Sequence, residues 1–340
     1  MNTLSLRRIL VTAFSAGVLM AGGSAHAAFR AYLSVNGNDA NPCTLIAPCR
    51  LLPAALVAAD PGGEIWMLDS ANFNTGPVII TKSVTILAVP GALGSVVALG
   101  GDAIVVNTAG VSVTLRNLVV LHFSTGNHGI NFSQGTRVIV EGCEIYGLPG
   151  NAVHATAPGG TVTVKETTIR QNGGSGMHLA GTVTGNLIDS KVMHHTVSGV
   201  NIIDGAKAFI FNSVITNAGN FGVAVSSSGG VDSRLVMNNS VIKNVGTAGI
   251  DVLANSGSPV YVTVAKSTIT HTNTGINVQN GAGNSVVVLD NNVIVHSNVG
   301  VNMNGGAATG QVFSRSNNTI TLTTGGANVI NGTLATLAAF

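Results

Sequence analysis

A pattern of three phrases recurs along this chain from about residue 111 onward, and few folds can accommodate it. The first phrase is a valine-rich pair, as in Val162-Thr163-Val164 or Val262-Thr263-Val264. Five residues on, a polar residue leads into Ile or Val: Thr168-Ile169, Ser213-Val214, Ser240-Val241, Thr268-Ile269, Asn292-Val293 and Thr319-Ile320. Seven to nine residues later Gly plus an aliphatic opens the third phrase, at Gly176-Met177, Gly199-Val200, Gly222-Val223, Gly249-Ile250, Gly275-Ile276 and Gly300-Val301. The middle anchors read Leu118, Ile145, Ile169, Val192, Val214, Val241, Ile269, Val293 and Ile320, spaced 22 to 28 residues apart. Apolar residues alternate at period two within each phrase, and the phrases are too short for helices. Each repeat therefore predicts one coil of three strands. Stacked in parallel at about 4.8 Å, the coils line up their anchors as aliphatic ladders inside a narrow tube. With aromatics at 4%, charged residues at 8% and 44 glycines, such a core is filled by thin side chains between frequent turns.

Insertions such as 254–259 and 305–310 are expected to protrude from the turns as loops. The segment Tyr32-Leu33-Ser34-Val35-Asn36-Gly37-Asn38-Asp39, then Pro48-Cys49-Arg50, Ala54-Ala55-Leu56 and Pro61-Gly62-Gly63-Glu64-Ile65, resembles the entry segment of secreted members of the pectate-lyase-like superfamily of right-handed parallel β-helices. That resemblance implies an all-β, right-handed parallel β-helix of three-strand coils with a short N-terminal capping helix, here 51–59. The expected organisation is a signal peptide over 1–27, cap and first strand over 28–77, coils over 78–332 and a C-terminal cap or tail over 333–340. The fold hosts lyases, hydrolases, epimerases, adhesins and phage spikes, so it does not fix an activity.

The start of the chain has the three-part plan of a secretory signal: Arg7 and Arg8, an apolar run from Ile9 to Met20, and Ala25-His26-Ala27, with cleavage expected after Ala27. This places the mature chain in the periplasm, at the cell surface or in the medium. Losing Arg7 and Arg8 brings the 15 basic residues to parity with the 13 acidic ones, which disfavours nucleic acid and anionic membrane surfaces as partners. No later run is long enough for a membrane helix. Cys43 and Cys49, close together in a turn-rich stretch, point to a local disulfide, and Cys143 to a packed free thiol.

Chemistry is harder to find. The acidic residues are scattered, with no Asp-Asp pair and none of the motifs that carry calcium-assisted lysis or two-carboxylate hydrolysis in the proteins the chain resembles. No metal or cofactor is implied. Two polar ladders remain. In the third phrase the outward residue reads Asn131, His154, His178, Asn201, Ala224, Asp251, Asn277 and Asn302, a stripe suited to ligand binding. Tyr146 and Arg170 are expected beside its two histidines, with His194 and His195 one coil later, and His154, His178, Arg170 and Tyr146 are the catalytic candidates. The second ladder, Asn172, His195, Asn217, Asn244, Thr272 and His296, reads as a structural turn ladder.

On the first sheet, Glu141 and Lys165 would form a surface ion pair. Ile188, Ile210, Met237 and Leu289, with Ile139, Leu235 and Val287 two residues earlier, would make an apolar patch and a route to a homo-oligomer. Two alternatives stand beside it: a tail or loop covers the patch, or the register shifts by one, since Lys207 and Arg234 otherwise fall inward. The resulting expectation is an exported, non-catalytic β-helix that binds extracellular or envelope polysaccharide or acts in adhesion. The alternatives are a divergent lyase or hydrolase and a self-assembling surface component.

Overall fold

The computed structural model describes residues 28–255, 257–279, 281, 283–303, 311–321 and 330–336. The expected signal segment, the 305–310 loop and residues 337–340 lie outside them. The chain is a right-handed parallel β-helix of about 10 turns, with one short helix among the described residues. Thirteen parallel first-phrase strands form one sheet, and the second- and third-phrase strands pair coil upon coil into the rest. Period-two burial is the reason. In Thr161–Lys165, Val162 and Val164 are fully buried while Thr161, Thr163 and Lys165 face out, and the same alternation in each coil builds a continuous aliphatic lumen.

Two columns of left-handed residues make the bends. Asn117, Gly142, Glu166, Asp189, Asn212, Asn239, Lys266 and Asn291 turn the chain out of the first strand with φ between +47° and +61°. Each is followed by an inward residue, and from Thr167 onward this is Thr167, Ser190, Ser213, Ser240, Ser267 and Asn292, all buried. The backbone N–H of each hydroxyl residue donates to the side-chain oxygen of the next, at 3.0–3.2 Å, so buried backbone groups are satisfied along the axis. Cys143 occupies this column one coil earlier, where burial pushes its thiol up to about 12.

This hydroxyl column corrects the expected register. Ser213 and Ser240 are buried two residues before an anchor, as Thr167 is, so the anchors of those coils are Ile215 and Ile242 rather than Val214 and Val241. For the same reason Ile294 replaces Val293, and Val120 replaces Leu118. A one-residue slip exchanges the faces, and it divides the second ladder. Asn172, His195 and Thr272 lie in the lumen at 2%, 3% and 6% exposure. Asn217, Asn244 and His296 belong to the second left-handed column with Gln171, His194 and His271, at φ +53° to +58°.

The first sheet shows the same slip. Glu141, Lys165 and Ile188 are followed in register by Phe211 and Asn238. Ile210, Met237, Leu289, Leu235 and Val287 are buried core residues, so the expected patch does not exist in that form. The cause is local: Ala208-Phe209-Ile210-Phe211 is apolar on both faces, and only the charges of Lys207 and Arg234, which face solvent, decide which side is out.

At the N-terminal end the helix Leu52–Ala58 buries Leu52, Ala55 and Leu56 against the first coil. Cys43 and Cys49 form a disulfide beneath it, and Asp39 Oδ1 accepts from the N–H groups of Arg50 and Leu51 at 2.8 Å. Leu334–Thr336 is a further first-sheet strand, laid on Val312–Ser314.

Candidate functional site

The third-phrase strands stack without a register break across the outward stripe. Asn131 pairs with His154, His154 with His178, His178 with Asn201, Asn201 with Ala224, Ala224 with Asp251, Asp251 with Asn277 and Asn277 with Asn302. Asn331 extends the column by one rung.

Its two ends differ. Towards the C-terminal side the side chains hydrogen-bond along the axis. Asn277 Nδ2 donates to Asp251 Oδ1 at 2.7 Å, Asn302 Nδ2 to Asn277 Oδ1 at 2.8 Å and Asn331 Nδ2 to Asn302 Oδ1 at 2.7 Å. Gln279 Nε2 donates to both Asp251 oxygens at 2.7–2.8 Å, which holds a carboxylate only 5% exposed by neutral amides.

Towards the N-terminal side the column carries imidazoles. The rings of His128, His154 and His178 stack in parallel, with centroids 4.5 and 4.9 Å apart and planes within 5°. Each ring accepts at Nδ1: His128 from the backbone N–H of Asn151 at 2.8 Å, His154 from Asn151 Nδ2 at 3.2 Å and His178 from Asn201 Nδ2 at 3.1 Å. An amide nitrogen can only donate, so the neutral rings carry their proton on Nε2. Asn151 Oδ1 in turn accepts from Ser175 N at 2.8 Å. Asp102 accepts from the His128 backbone N–H and from Asn131 Nδ2. Burial lowers the pKa of all three rings, and His154, with a ring on either side, is pushed down to about 4.

His128, Asp102 and Asn151 were not legible as site residues. They lie in the bends before their strands, where no period-two position addresses them.

Tyr146 and Arg170 pair with each other on the middle-phrase strands, and Met193, not a histidine, follows Arg170 in register. The Arg170 guanidinium lies 4.0 Å from the Tyr146 ring centre, is bound to Glu144 at 2.7 Å and also meets Gln171. Tyr146 and Glu144 line a shallow groove with Leu93, Val119 and Leu121. His195 is a lumen residue, and His194 sits exposed in the bend with Asn217 Nδ2 at 2.9 Å. The expected His/Arg/Tyr group is thus divided: the imidazoles make one column and Arg170 is committed to a second cluster.

A further polar cluster, also unforeseen, occupies the outward face of the first two first-sheet strands. Glu64 accepts from Arg30 and from Trp66 Nε1 at 2.9 Å, and the Arg30 guanidinium lies 4.1 Å from the Trp66 ring centre. Among the described residues no group of three His, Cys, Asp or Glu side chains could hold a metal ion. No described helix is long and apolar enough to cross a membrane.

Comparison with known proteins bears on the fold. The family described as "Right handed beta helix region" matches residues 102–262. No curated protein matches the chain in sequence. Among solved structures it is similar to the A-module of a mannuronan C-5 epimerase of Azotobacter vinelandii (TM-score 0.59, 13% identity, 81% of this chain and 85% of that one). It is also similar to a periplasmic alginate epimerase (0.52, 16%, 82% and 79%) and to a pectate lyase (0.51, 14%, 88% and 78%). At these identities the likeness is one of fold, the pectate-lyase-like β-helix.

Proposed function

We propose that this chain is an exported β-helix that binds a polysaccharide along its third-phrase face without cleaving it. The observation that carries this reading is the continuous outward column from Asn131 to Asn302, polar side chains half-buried at every rung but the buried Asp251, with a donor or acceptor on all but the Ala224 rung. A strand of sugars laid along the axis would meet one polar rung per coil, about 4.8 Å apart. Similar folds are found in structures described as epimerases and lyases of polysaccharides, which supports a carbohydrate ligand. The disulfide supports an oxidising, exported setting.

The imidazole geometry supports binding over chemistry. A general base needs a free lone pair facing its substrate, and the single lone pair of each neutral ring is already taken by an amide at Nδ1. A glycan array of the chain lacking residues 1–27, followed by a cleavage assay on every hit, tests this. Retention without new reducing or unsaturated ends is expected. Turnover that disappears in His178→Ala would replace binding by catalysis, and no retention on any glycan would remove the reading.

A second reading, self-association through the first sheet, has a specific observation of its own: Phe209 and Val236 stack in register on its outer face, beside Ile188 and Phe211 in the next column. Phe209→Asp should then convert an oligomer to a monomer on a sizing column. A monomeric wild type ends this idea.

A further inference from the structure

The imidazole column has a property the amide column lacks: the atom that would take up a proton is the atom already accepting a hydrogen bond. In the Nε2–H form of a ring only Nδ1 can be protonated. Protonating His128 would set an N–H against the backbone N–H of Asn151. Protonating His154 or His178 would set one against the amide of Asn151 or Asn201. Each event turns a hydrogen bond into a clash of two donors, and a second charged ring would face the first across a stack of 4.5 or 4.9 Å. Asn151 links the parts, since it donates to two of the rings and braces Ser175 on the following coil.

We propose that this column is a proton-operated release element: the face holds its glycan while the three rings are neutral and stacked, and lets it go when they are protonated. The inference rests on the polysaccharide reading above. Burial, the largest cause of the lowered values, keeps the rings neutral through the neutral range. The carboxylates that face the stack and oppose this are Asp102 and Asp204. Asp102 is engaged by the His128 N–H and Asn131, and Asp204 by the Ser228 hydroxyl. The same two carboxylates would repel a polyanion, so the ligand that fits neutral N–H donors between them is an uncharged, hydroxyl-rich strand.

Two measurements test it. Amide exchange by NMR between pH 7.5 and 3.5, corrected for intrinsic rate, should show the Asn151 N–H losing at least tenfold in protection. The Val260 N–H, which donates to the Asn284 carbonyl, should not change. His128→Asn, which keeps a side-chain acceptor but cannot titrate, should abolish the loss. An Asn151 amide whose protection holds while the rings titrate overturns the proposal.

Retention on immobilised xylan and alginate over the same range is the second measurement. Xylan should be held at pH 7.5 and weakened at least tenfold at pH 3.5, with the triple variant His128→Asn, His154→Asn, His178→Asn indifferent to pH. Alginate binding that tightens on acidification, or xylan binding that ignores pH, overturns it. If neither polymer nor any arrayed glycan is held at any pH, the binding reading and the release role fail together, whereas the exchange experiment separates a failed latch from a failed ligand.

Discussion

The imidazole and amide halves of the outward column share one register and one backbone, yet they solve the same problem in opposite ways. A primary amide has both a donor and an acceptor, so Asn277, Asn302 and Asn331 can pass hydrogen bonds from coil to coil and close on Asp251 without help. A neutral imidazole has one of each on opposite edges. His128, His154 and His178 therefore stack through their faces, take a donor from Asn151 or Asn201 and present an N–H edge. The first arrangement is carried by amides, which do not titrate. The second depends on its neighbours and on the proton.

The largest expected effect adds the lumen histidine to this contrast. Burial pushes His195 down to about 4, against about 6.5 for the unfolded chain. Between those values the unfolded state binds the extra proton, so stability is complete above pH 6.5 and falls as pH drops towards 4, by about 3 kcal/mol from this residue alone. Denaturant unfolding at pH 7 and pH 4 should show that loss. His195→Val should remove most of it, because Val245 already fills the same lumen column two coils on. A pH profile unchanged in His195→Val would show that the acid-sensitive centre lies elsewhere.

The amide half should respond to surgery rather than to pH. Asn277→Leu strips a donor from Asp251 and an acceptor from Asn302, and should cost about 1–3 kcal/mol at any pH between 5 and 8. A strongly pH-dependent loss would erase the distinction between the halves. The smallest effect belongs to the first sheet, where Arg116 and Lys165 flank Glu141 at 2.8 and 3.2 Å on an exposed face. Lys165→Ala should leave the denaturant midpoint almost unchanged, and the small difference should vanish at high salt.

The third-phrase register was legible because glycine marks it. A Cβ on Gly176, Gly199, Gly222, Gly249 or Gly275 would collide with the carbonyl oxygen of the equivalent glycine one coil later, so glycine recurs there and the outward residue two places on is fixed. The first and middle phrases have no such marker. Ser213-Val214-Ile215 allows either aliphatic to be the anchor, and the choice turns on the Ser213 hydroxyl, which is inside because it serves a backbone N–H. Phe209 and Ile210 were exchanged for a like reason. The bend residues Asp102, His128 and Asn151 acquire their meaning only when three coils are stacked, so no single repeat announces them.

The glycine column also determines how the molecule can change length. Because each of these glycines meets another glycine one coil away, this corner of the junction is the same between successive coils from Gly176 to Gly300. Deleting 199–221 would set Gly222 on Gly176 and restore an identical seam. The solenoid is in this sense a ruler with interchangeable divisions, on which the span of its polar face can be set by adding or removing whole divisions while each seam stays as it was.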